Sequence, residues 1–455
     1  MKELIETMSW VRKAGIAIIM LLTAGVLRAE NWSSWRGADG NGLTSSEKLP
    51  TDWSADRNIA WKVELPGAGW SQPIVWSNRI FVTTAVTENQ KKPRGGEFDP
   101  GTSLAGMLFG GGAPPNVTYQ WKVICLDVAN GRVVWEQTAH EGKPTIPIQR
   151  NNTYASETAV TDGERLIAYF GMTGLFCYDL SGKLLWRTNL GSYSTQFGWG
   201  TGSSPVLLGD RLFVQCDNDQ ASFLLALDKK TGAELWRVKR DEKSNWSTPY
   251  IWKNKRRTEL VAAGGNKCRA YHPDSGELLW EMNGNGRCAT TPVGNEELLC
   301  VDSYDRLMGK NGRLAAVRAG ASGDISLRGQ EMTNSFIAWS VPLNFTRLAS
   351  PLLYADCLYV LPQQSGLVNC FDAKTGALHY RERLPGVVGF TTSPWVNDGK
   401  IFCLDEAGRT IILASGPKLR VLADNQLNDT FWASAGIAGE KLLLRGVDYL
   451  YCIGR

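Results

Sequence analysis

The chain has 455 residues, and its 49 lysine and arginine residues nearly balance 45 aspartate and glutamate residues, which leaves a net charge of +4. A chain of this length exceeds the usual size of one hydrophobic core, so it forms either several domains or one architecture that grows by repetition. The charges form no basic run, which argues against a nucleic-acid groove. The 48 glycines and 18 tryptophans, with little helical periodicity, predict an all-β protein of short strands and tight turns.

The first 29 residues have the layout of a secretory signal peptide. Arg12 and Lys13 precede an apolar run from Ala14 to Leu27, and Ala29 offers a small residue for cleavage. The run is shorter than the roughly 18 apolar residues of a membrane-spanning helix, so we favour cleavage over a retained anchor. We therefore predict a periplasmic or secreted protein with no stable membrane span after cleavage. Residues 30–57 form an N-terminal extension before the repeats.

A unit of roughly 40 to 50 residues recurs from residue 58 to residue 455, which is the period of β-propeller blades. Each unit opens with a small Ser/Thr stretch, usually followed by proline, and continues into a hairpin with an Asp-Gly or Gly-Asp turn. Eight openings occur, at Ser71–Pro73, Ser156–Thr158, Ser203–Pro205, Ser247–Pro249, Thr290–Pro292, Ser350–Pro351, Ser393–Pro394 and Ser434–Ala435.

A second hairpin in each unit carries an Asp-x-x-x-Gly-x-x-x-Trp signature. We expect the aspartate to cap the turn through backbone N–H groups and the glycine to take a positive φ. The tryptophan then begins the outermost strand and packs between blades. Five good copies occur, at Asp127/Gly131/Trp135, Asp179/Gly182/Trp186, Asp228/Gly232/Trp236, His272/Gly276/Trp280 and Asp372/Gly376/Tyr380.

Two units depart from the signature, and the two ends of the repeat region complete one another. The fifth unit lacks the aspartate and carries an insertion over about residues 324–335, and the seventh lacks both aspartate and tryptophan. A Gly-rich stretch, residues 88–117, interrupts the first unit and is predicted to be a flexible surface insertion. A fourth strand around Trp61 has no hairpin before it, and a third strand ending at Cys452 has no partner after it. We therefore predict an eight-bladed β-propeller of four-stranded antiparallel blades, closed by pairing the N-terminal strand with the C-terminal blade.

Ten cysteines in an exported chain raise the question of disulfides. Cys125, Cys177, Cys370 and Cys452 occupy one position of the repeat, just before or at the end of its third strand. Because residues that recur at one structural position suit a packing role, we favour buried core fillers over a disulfide framework.

The signature at blade period, together with the Ser/Thr-Pro openings, resembles the pyrroloquinoline-quinone (PQQ) repeat superfamily of propellers over residues 58–455. A WD40 propeller is disfavoured, because the tryptophan here follows the glycine by four residues and does not form a Trp-Asp pair. The segment Asn31–Leu43 also looks like the N-terminal signature of exported PQQ-like propellers of planctomycete-type bacteria. Another group in the superfamily is the propeller protein of outer-membrane β-barrel assembly, which shares the repeat without the cofactor.

The resemblance also implies an alternative, a PQQ-dependent quinoprotein dehydrogenase with calcium at the propeller axis. Such alcohol dehydrogenases hold the quinone against a disulfide of adjacent cysteines, and no two cysteines are adjacent here. A calcium ion needs several converging oxygen ligands, whereas Glu157 is the single acidic residue in the openings that should form the innermost strands. We therefore expect no catalytic residue, no metal site and no cofactor, and keep PQQ and calcium at an atypical axial site around Glu157 and Trp199 as the alternative.

The residues that lead into the innermost strands are aromatic or basic in most units, and we predict that they crowd one mouth of the channel. Such side chains dominate binding hot spots, although packing of loops over the blade tops would explain them as well. The predicted rim consists of Trp70, Tyr154, Glu157, Trp199, Trp246, Arg287, Arg347, Phe390, Phe431 and Trp432. The sequence therefore favours a non-catalytic, monomeric binding or scaffold module at the cell envelope, with an envelope protein or a glycan as partner.

Overall fold

The computed structural model describes residues 31–46, 48–94, 112–284, 286–303, 312–343, 345 and 347–454. The predicted signal peptide, residues 1–29, and the middle of the predicted flexible insertion, residues 95–111, lie outside the described residues. Among the described residues, no helix is long and apolar enough to cross a membrane.

Eight antiparallel sheets follow one another along the chain and close into a ring, which confirms the predicted eight-bladed propeller. In blades 1 to 7 the strands run outward in chain order. The innermost strands contact one another between blades 8 and 1 and from blade 2 through blade 6. Blade 1 consists of Ile74–Trp76, Arg79–Val86, Tyr119–Asp127 and Val133–Gly142, and blade 2 of Val160–Thr161, Arg165–Tyr169, Leu175–Asp179 and Leu184–Thr188. Blade 3 consists of Val206–Leu208, Arg211–Cys216, Phe223–Asp228 and Glu234–Lys239, and blade 4 of Tyr250–Lys253, Thr258–Ala262, Lys267–Tyr271 and Leu278–Asn283. Blades 5 to 8 consist of Val293–Gly294, Leu298–Ser303, Arg313–Arg318 and Ile337–Pro342; Leu352–Tyr354, Cys357–Val360, Leu367–Asp372 and Leu378–Arg383; Trp395–Asn397, Lys400–Leu404, Arg409–Ala414 and Val421–Gln426; Gly436–Ala438, Lys441–Arg445, Tyr449–Ile453 and Ile59–Glu64.

The last blade is built from both ends of the repeat region, as predicted. Ile59–Glu64 pairs antiparallel with Tyr449–Ile453, and Trp61 lies opposite Cys452. The innermost strand of blade 8 also contacts the innermost strand of blade 1. The ring therefore has no unpaired blade edge at the seam.

Two short strands and two 3₁₀ turns complete the described elements. Leu43–Thr44 pairs in parallel with the innermost strand of blade 7, and Gly323–Asp324, from the insertion of blade 5, pairs in parallel with the outermost strand of blade 4. The 3₁₀ turns are Gly171–Thr173 and Gln196–Gly198. The insertion that the sequence indicated in blade 5 therefore covers an edge of its neighbour.

The core lies between the faces of adjacent blades. The second and third strands are buried along nearly their whole length, whereas the outermost strands alternate between half-buried and exposed residues. Between blades 2 and 3, for example, Ile167 and Cys177 pack with Leu212 and Leu225, all fully buried. Each interface between blades is therefore a small sheet-on-sheet core, and the ring repeats it.

The signature residues join each blade to the next one. Asp228 accepts hydrogen bonds from the backbone N–H groups of Lys230 and Thr231, and Gly232 has a φ of +72°, so the predicted capped turn is confirmed. The ring of Trp186, from the preceding blade, lies against Gly232. The indole N–H groups donate at 2.9–3.1 Å to the carbonyl that follows the capping residue in the next blade, in the pairs Trp61–Val128, Trp135–Leu180, Trp186–Lys229, Trp236–Pro273 and Trp339–Ala373.

This contact between blades explains where the signature is missing. Trp280 faces blade 5, which lacks the capped turn, and its indole donates within its own blade to Glu259 at 2.6 Å. Blade 7 has Ala423 at the position of the tryptophan. Its neighbour, blade 8, has no turn between third and fourth strands, because those strands come from opposite ends of the chain. A tryptophan there would have no such turn to pack against.

The Ser/Thr openings form a belt of hydrogen bonds around the channel. A backbone N–H in one blade donates at 2.9–3.0 Å to a hydroxyl in the next, in the pairs Gln72–Thr158, Thr158–Ser204, Ser204–Thr248, Thr291–Ser350, Ser350–Ser393 and Ser393–Ser434. The small hydroxyl residues therefore connect the innermost strands where the ring is narrowest.

The cysteines are packing residues in this structure. All ten are free thiols, and all except the half-buried Cys216 are buried. Cys125, Cys177 and Cys452 lie directly opposite Trp135, Trp186 and Trp61 across the two outer strands. Alanine takes the same place opposite Trp236, Trp280 and Trp339. A small residue is therefore found wherever the large indole crosses to the next blade.

Candidate functional site

Part of the predicted rim forms a cluster of aromatic and arginine side chains at the entrance to blades 3 to 5. The ring centroids of Trp199 and Trp246 are 5.6 Å apart, and Phe197 lies 5.5 Å from Trp199. The Arg287 guanidinium lies 5.2 Å from the centre of the Trp199 ring, within reach of a cation–π interaction. The Trp246 indole donates to the Gly200 carbonyl at 2.8 Å. All four side chains are half-buried, so part of each reaches solvent. We call Phe197, Trp199, Trp246 and Arg287 the aromatic–arginine cluster.

Phe197 was not among the predicted rim residues. It lies in the turn Gln196–Gly198 with a φ of +52°, an unusual conformation for a bulky residue. This backbone strain places the ring beside Trp199. No local pattern of residues signals this conformation, because the turn contains no aspartate or asparagine that would favour it.

A second pair of rim residues lies at the seam of the ring. Trp70, which leads into blade 1, stacks on Trp432, which leads into blade 8, with centroids 5.7 Å apart and planes inclined by 25°. Trp70 is buried and donates to the Asn151 carbonyl at 2.8 Å, whereas Trp432 is half-buried.

The remaining rim residues point into the protein. Arg347 is buried and pairs with the buried carboxylate of Asp302 on blade 5. Phe390 and Phe431 are fully buried in the core. Tyr154 is buried and donates through its hydroxyl to the Ile146 carbonyl at 3.0 Å. The structure therefore brings together two groups of predicted residues at the mouth and places these four in packing roles.

Glu157 is buried between blades 2 and 3, where it bonds to Thr201. Its Oε1 atom has no hydrogen-bond partner. Burial raises the pKa of Glu157 to about 7, although hydrogen bonds from Thr201 and nearby backbone oppose the shift. The carboxyl group is therefore close to half-protonated at neutral pH.

A cleft that is partly open to solvent lies near Glu157 and the aromatic–arginine cluster, and its wall includes Gly171, Gly200 and Thr201. The wall also includes Tyr169, Gln215, Asp217 and Asn245. Asp217 is ion-paired with Arg240 at 2.8 Å, and both side chains are fully buried. The cleft therefore offers hydrogen-bonding side chains, including a carboxylate that Arg240 already neutralises.

The N-terminal extension crosses the axis and contacts most of the ring. Its backbone carbonyls accept hydrogen bonds from Val75 in blade 1, Thr161 in blade 2 and Val396 in blade 7. The Trp35 indole donates to Thr291 of the hydroxyl belt at 3.1 Å, and the Arg36 N–H donates to the side chain of Gln72 at 2.8 Å. The repeat pattern places residues 30–57 outside the blades and does not indicate these contacts with the ring.

Arg36 carries a buried positive charge to the axis. Its Nη2 donates to the Pro351 carbonyl of blade 6 at 2.7 Å, while Nε and Nη1 have no hydrogen-bond partner. Burial lowers the pKa of Arg36 to about 10. Gly37, Gly40 and Gly42 around it all have positive φ, which forms the tight loop that turns the chain back toward blade 7.

Two observations near the axis bear on the alternative with a calcium ion. Within the parts of the chain that the structure describes, no three His, Cys, Asp or Glu side chains come together in a possible metal site. The carboxyl group of Glu157 faces Thr201 and has a raised pKa, and the buried cation of Arg36 would oppose a divalent cation on the same axis.

Comparison with known proteins agrees with this architecture. A family model described as outer membrane protein assembly factor BamB matches residues 120–283 and 224–326, from the third strand of blade 1 into blade 5. The crystal structure of BamB from Moraxella catarrhalis is similar with a TM-score of 0.57 and 14% identity, over 87% of this chain and 99% of that chain. The computationally designed Ika8 protein aligns with a TM-score of 0.50 and 10% identity, over 74% of this chain and 93% of that chain. A europium-containing methanol dehydrogenase aligns with a TM-score of 0.46 and 11% identity, over 85% and 89% of the two chains. No curated protein sequence matches the chain.

The structure is an eight-bladed β-propeller, and its repeats are similar to the matching family model over residues 120–326. Within that class the chain is similar to BamB.

Proposed function

We propose that this protein is a non-catalytic binding or scaffold module of the cell envelope, which holds a partner protein at the mouth of the propeller that carries the aromatic–arginine cluster. The observation that carries the proposal is this cluster, in which Trp199, Trp246 and Arg287 remain partly open to solvent on a rigid ring. Flat, rigid rings and arginine provide contact area at low entropic cost, which is why they dominate protein interfaces. Loops above a rigid scaffold are the usual place for such surfaces.

Two observations support the location at the envelope. The first 29 residues have the features of a signal peptide. The matching family model is described as an outer membrane protein assembly factor. An envelope protein is therefore the partner that we propose, and a glycan is the competing outcome of the test.

The test is capture of envelope components by the purified chain from residue 30 onward. We expect the double variant Trp199→Ala/Trp246→Ala to lose the captured partner while it keeps a thermal midpoint close to that of the unchanged protein. The matched control is Val133→Ala/Val134→Ala, which removes exposed apolar side chains from the outer strand of blade 1. Protease treatment of the extract separates a protein partner from a glycan. Capture that is unaltered in the tryptophan variant would remove the cluster from consideration.

The alternative of a PQQ-dependent dehydrogenase is tested by reconstitution. The purified protein is mixed with PQQ and calcium and passed through a gel-filtration column, and the quinone absorbance of the protein fractions is measured. We expect the quinone to elute with the small molecules. Stoichiometric quinone in the protein peak, together with dye-linked oxidation of an alcohol, would replace our proposal with the enzyme.

A further inference from the structure

Arg445 is a buried arginine whose charge has no acidic partner among the described residues. Arg445 ends the second strand of blade 8, and only 2% of the residue is exposed to solvent. Its Nη1 donates to the carbonyl and the hydroxyl of Ser71, at 3.1 and 2.5 Å, and both groups are neutral. Burial lowers the pKa of Arg445 to about 9, with no acidic group to oppose the shift.

Three of the other four buried arginines among the described residues have an acidic partner, whereas Arg36 bonds to backbone carbonyls. Arg240 pairs with Asp217, Arg347 pairs with Asp302, and Arg269 pairs with Glu242. An unpaired buried cation costs several kcal/mol in general, because the low-dielectric interior does not replace its hydration. Arg36 and Arg445 are therefore the two buried arginines without an acidic partner among the described residues, and of the two it is Arg445 that borders a cleft.

The guanidinium borders a cleft at the seam between blades 8 and 1. The cleft is a shallow, partly open depression, and its wall includes Gly67, Gly69, Trp70, Lys92 and Arg445. Gly69 is required for this arrangement, because a Cβ atom there would come within 2.6 Å of the Arg445 Nη2. The glycine therefore leaves room for the guanidinium at the wall.

The charges around the cleft leave about one positive charge uncompensated. Lys92 lies 3.9 Å from Asp448, which also binds the exposed Arg94 at 2.6 Å. The nearby buried Asp429 accepts hydrogen bonds from the N–H groups of Thr430, Val447, Asp448 and Tyr449 and makes no ion pair with Arg445 in the described structure. A monoanion suits this balance better than a dianion.

We propose that the cleft between blades 8 and 1 binds a carboxylate of a partner polypeptide, with Arg445 and Lys92 as the cationic groups and Trp70 as the apolar wall. Arginine donates two parallel hydrogen bonds to a carboxylate, which gives both energy and orientation. This inference rests on the proposed function, since it adds an anionic contact to the binding module. The Trp70–Trp432 stack at the same seam is part of the predicted rim.

The test uses saturation-transfer NMR with small probes on the purified chain. Acetyl-Gly-Glu-Gly-amide presents an acidic side chain, acetyl-Gly-Gly-Gly presents a chain terminus, and acetyl-Gly-Gln-Gly-amide is the neutral control. Inorganic phosphate, followed by ³¹P line broadening, is the dianion arm. We expect transfer to at least one of the two carboxylate peptides and none to the glutamine peptide.

Variants locate the binding. We expect Arg445→Met to abolish transfer and Lys92→Gln to weaken binding roughly tenfold, the effect of about 1.4 kcal/mol for a lost charged contact. Lys92→Gln keeps the test decisive if Arg445→Met fails to fold. The control is Lys122→Gln, a lysine of similar burial, 17% against 19%, that pairs with Glu136 on blade 1.

Three outcomes would overturn the proposal: equal transfer to the glutamine and glutamate peptides, tighter binding of phosphate than of carboxylate, and loss of binding in Lys122→Gln to the same extent as in Lys92→Gln. Glu97 and Asp99 follow Arg94 in the chain and lie outside the described residues. If the peptides bind only to the variant Glu97→Gln/Asp99→Asn, a carboxylate of this chain competes for the cleft, and the proposal of a partner polypeptide is overturned. If this test fails while capture of the partner still depends on Trp199 and Trp246, the cleft is rejected as a binding site. The proposed function then remains supported.

Discussion

The contact of Trp186 with Gly232 gives a quantitative test of how neighbouring blades are joined. Gly232 has a φ of +72°, and a Cβ atom at this position would lie 2.6 Å from the Cε3 atom and 2.9 Å from the Cδ2 atom of Trp186. The variant Gly232→Ala therefore combines two costs. An L-residue in the left-handed region costs roughly 1–2 kcal/mol, and overpacking against the ring adds typically about 1–3 kcal/mol. We expect a loss of about 2–5 kcal/mol in the free energy of unfolding.

The same blade provides the matched control. Gly209 has a φ of +60°, but a Cβ atom there would meet nothing within 4 Å. Gly209→Ala should therefore cost only the backbone strain, roughly 1–2 kcal/mol. The difference between the two variants isolates the contact with the indole. Urea unfolding followed by far-UV circular dichroism, under reducing conditions, measures both.

A double-mutant cycle completes this test. In a Trp186→Ala background the ring is absent, so the cost of Gly232→Ala should fall to that of Gly209→Ala. Equal costs for Gly232→Ala and Gly209→Ala in the unchanged protein would refute the reasoning. An undiminished cost of Gly232→Ala in the Trp186→Ala background would refute it as well.

Three further predictions concern the seam, pH and the thiols. Trp61→Ala should destabilise the protein by about 2–4 kcal/mol, because the ring packs on Gly131 and its indole donates to the Val128 carbonyl at 2.9 Å. Hydrogen exchange of Tyr449–Ile453 should accelerate in this variant. Unchanged exchange would argue against pairing of the N-terminal strand with blade 8. Because the pKa of Glu157 rises from 4.5 to about 7 on folding, the folded state holds a proton that the unfolded state loses, so stability should fall by about 3 kcal/mol as pH rises from about 4.5 to 7. Glu157→Gln should lack this loss when urea midpoints at pH 5 and pH 8 are compared, and an identical slope in both proteins would contradict the assignment. Burial raises the pKa of Cys177, Cys216 and Cys403 to about 12, so iodoacetamide at pH 8 should leave these three thiols of the native protein unmodified, as read by peptide mass mapping. Rapid labelling without unfolding would show that these thiols are accessible.

The predicted rim shows which residues of the candidate site can be found from the sequence. The structure brings Trp199, Trp246 and Arg287 of the predicted rim together, and their binding of a partner stays a prediction. The position before an innermost strand could not distinguish Arg347, because its partner Asp302 lies 45 residues earlier, on the preceding blade. Which way such a side chain points depends on what the neighbouring blade presents.

The amino-acid sequence by itself determined the class of fold, the number of blades and the closure of the ring. It could do so because each blade is specified by local features, such as the capped turn at Asp228 and Gly232, that repeat at a fixed period. The strands around Trp61 and Cys452 lacked partners in their own units, which left each as the other's partner.

Only the tertiary structure decided where charges and the extension lie. Arg36 reaches Pro351 across 315 positions of sequence, and Arg445 reaches Ser71 across 374. These residues become neighbours because the ring closes and the extension crosses its axis. Their electrostatics follow from burial, which no local pattern of sequence encodes. The period of the repeat therefore fixes the scaffold, and the contacts across the ring fix its two clefts.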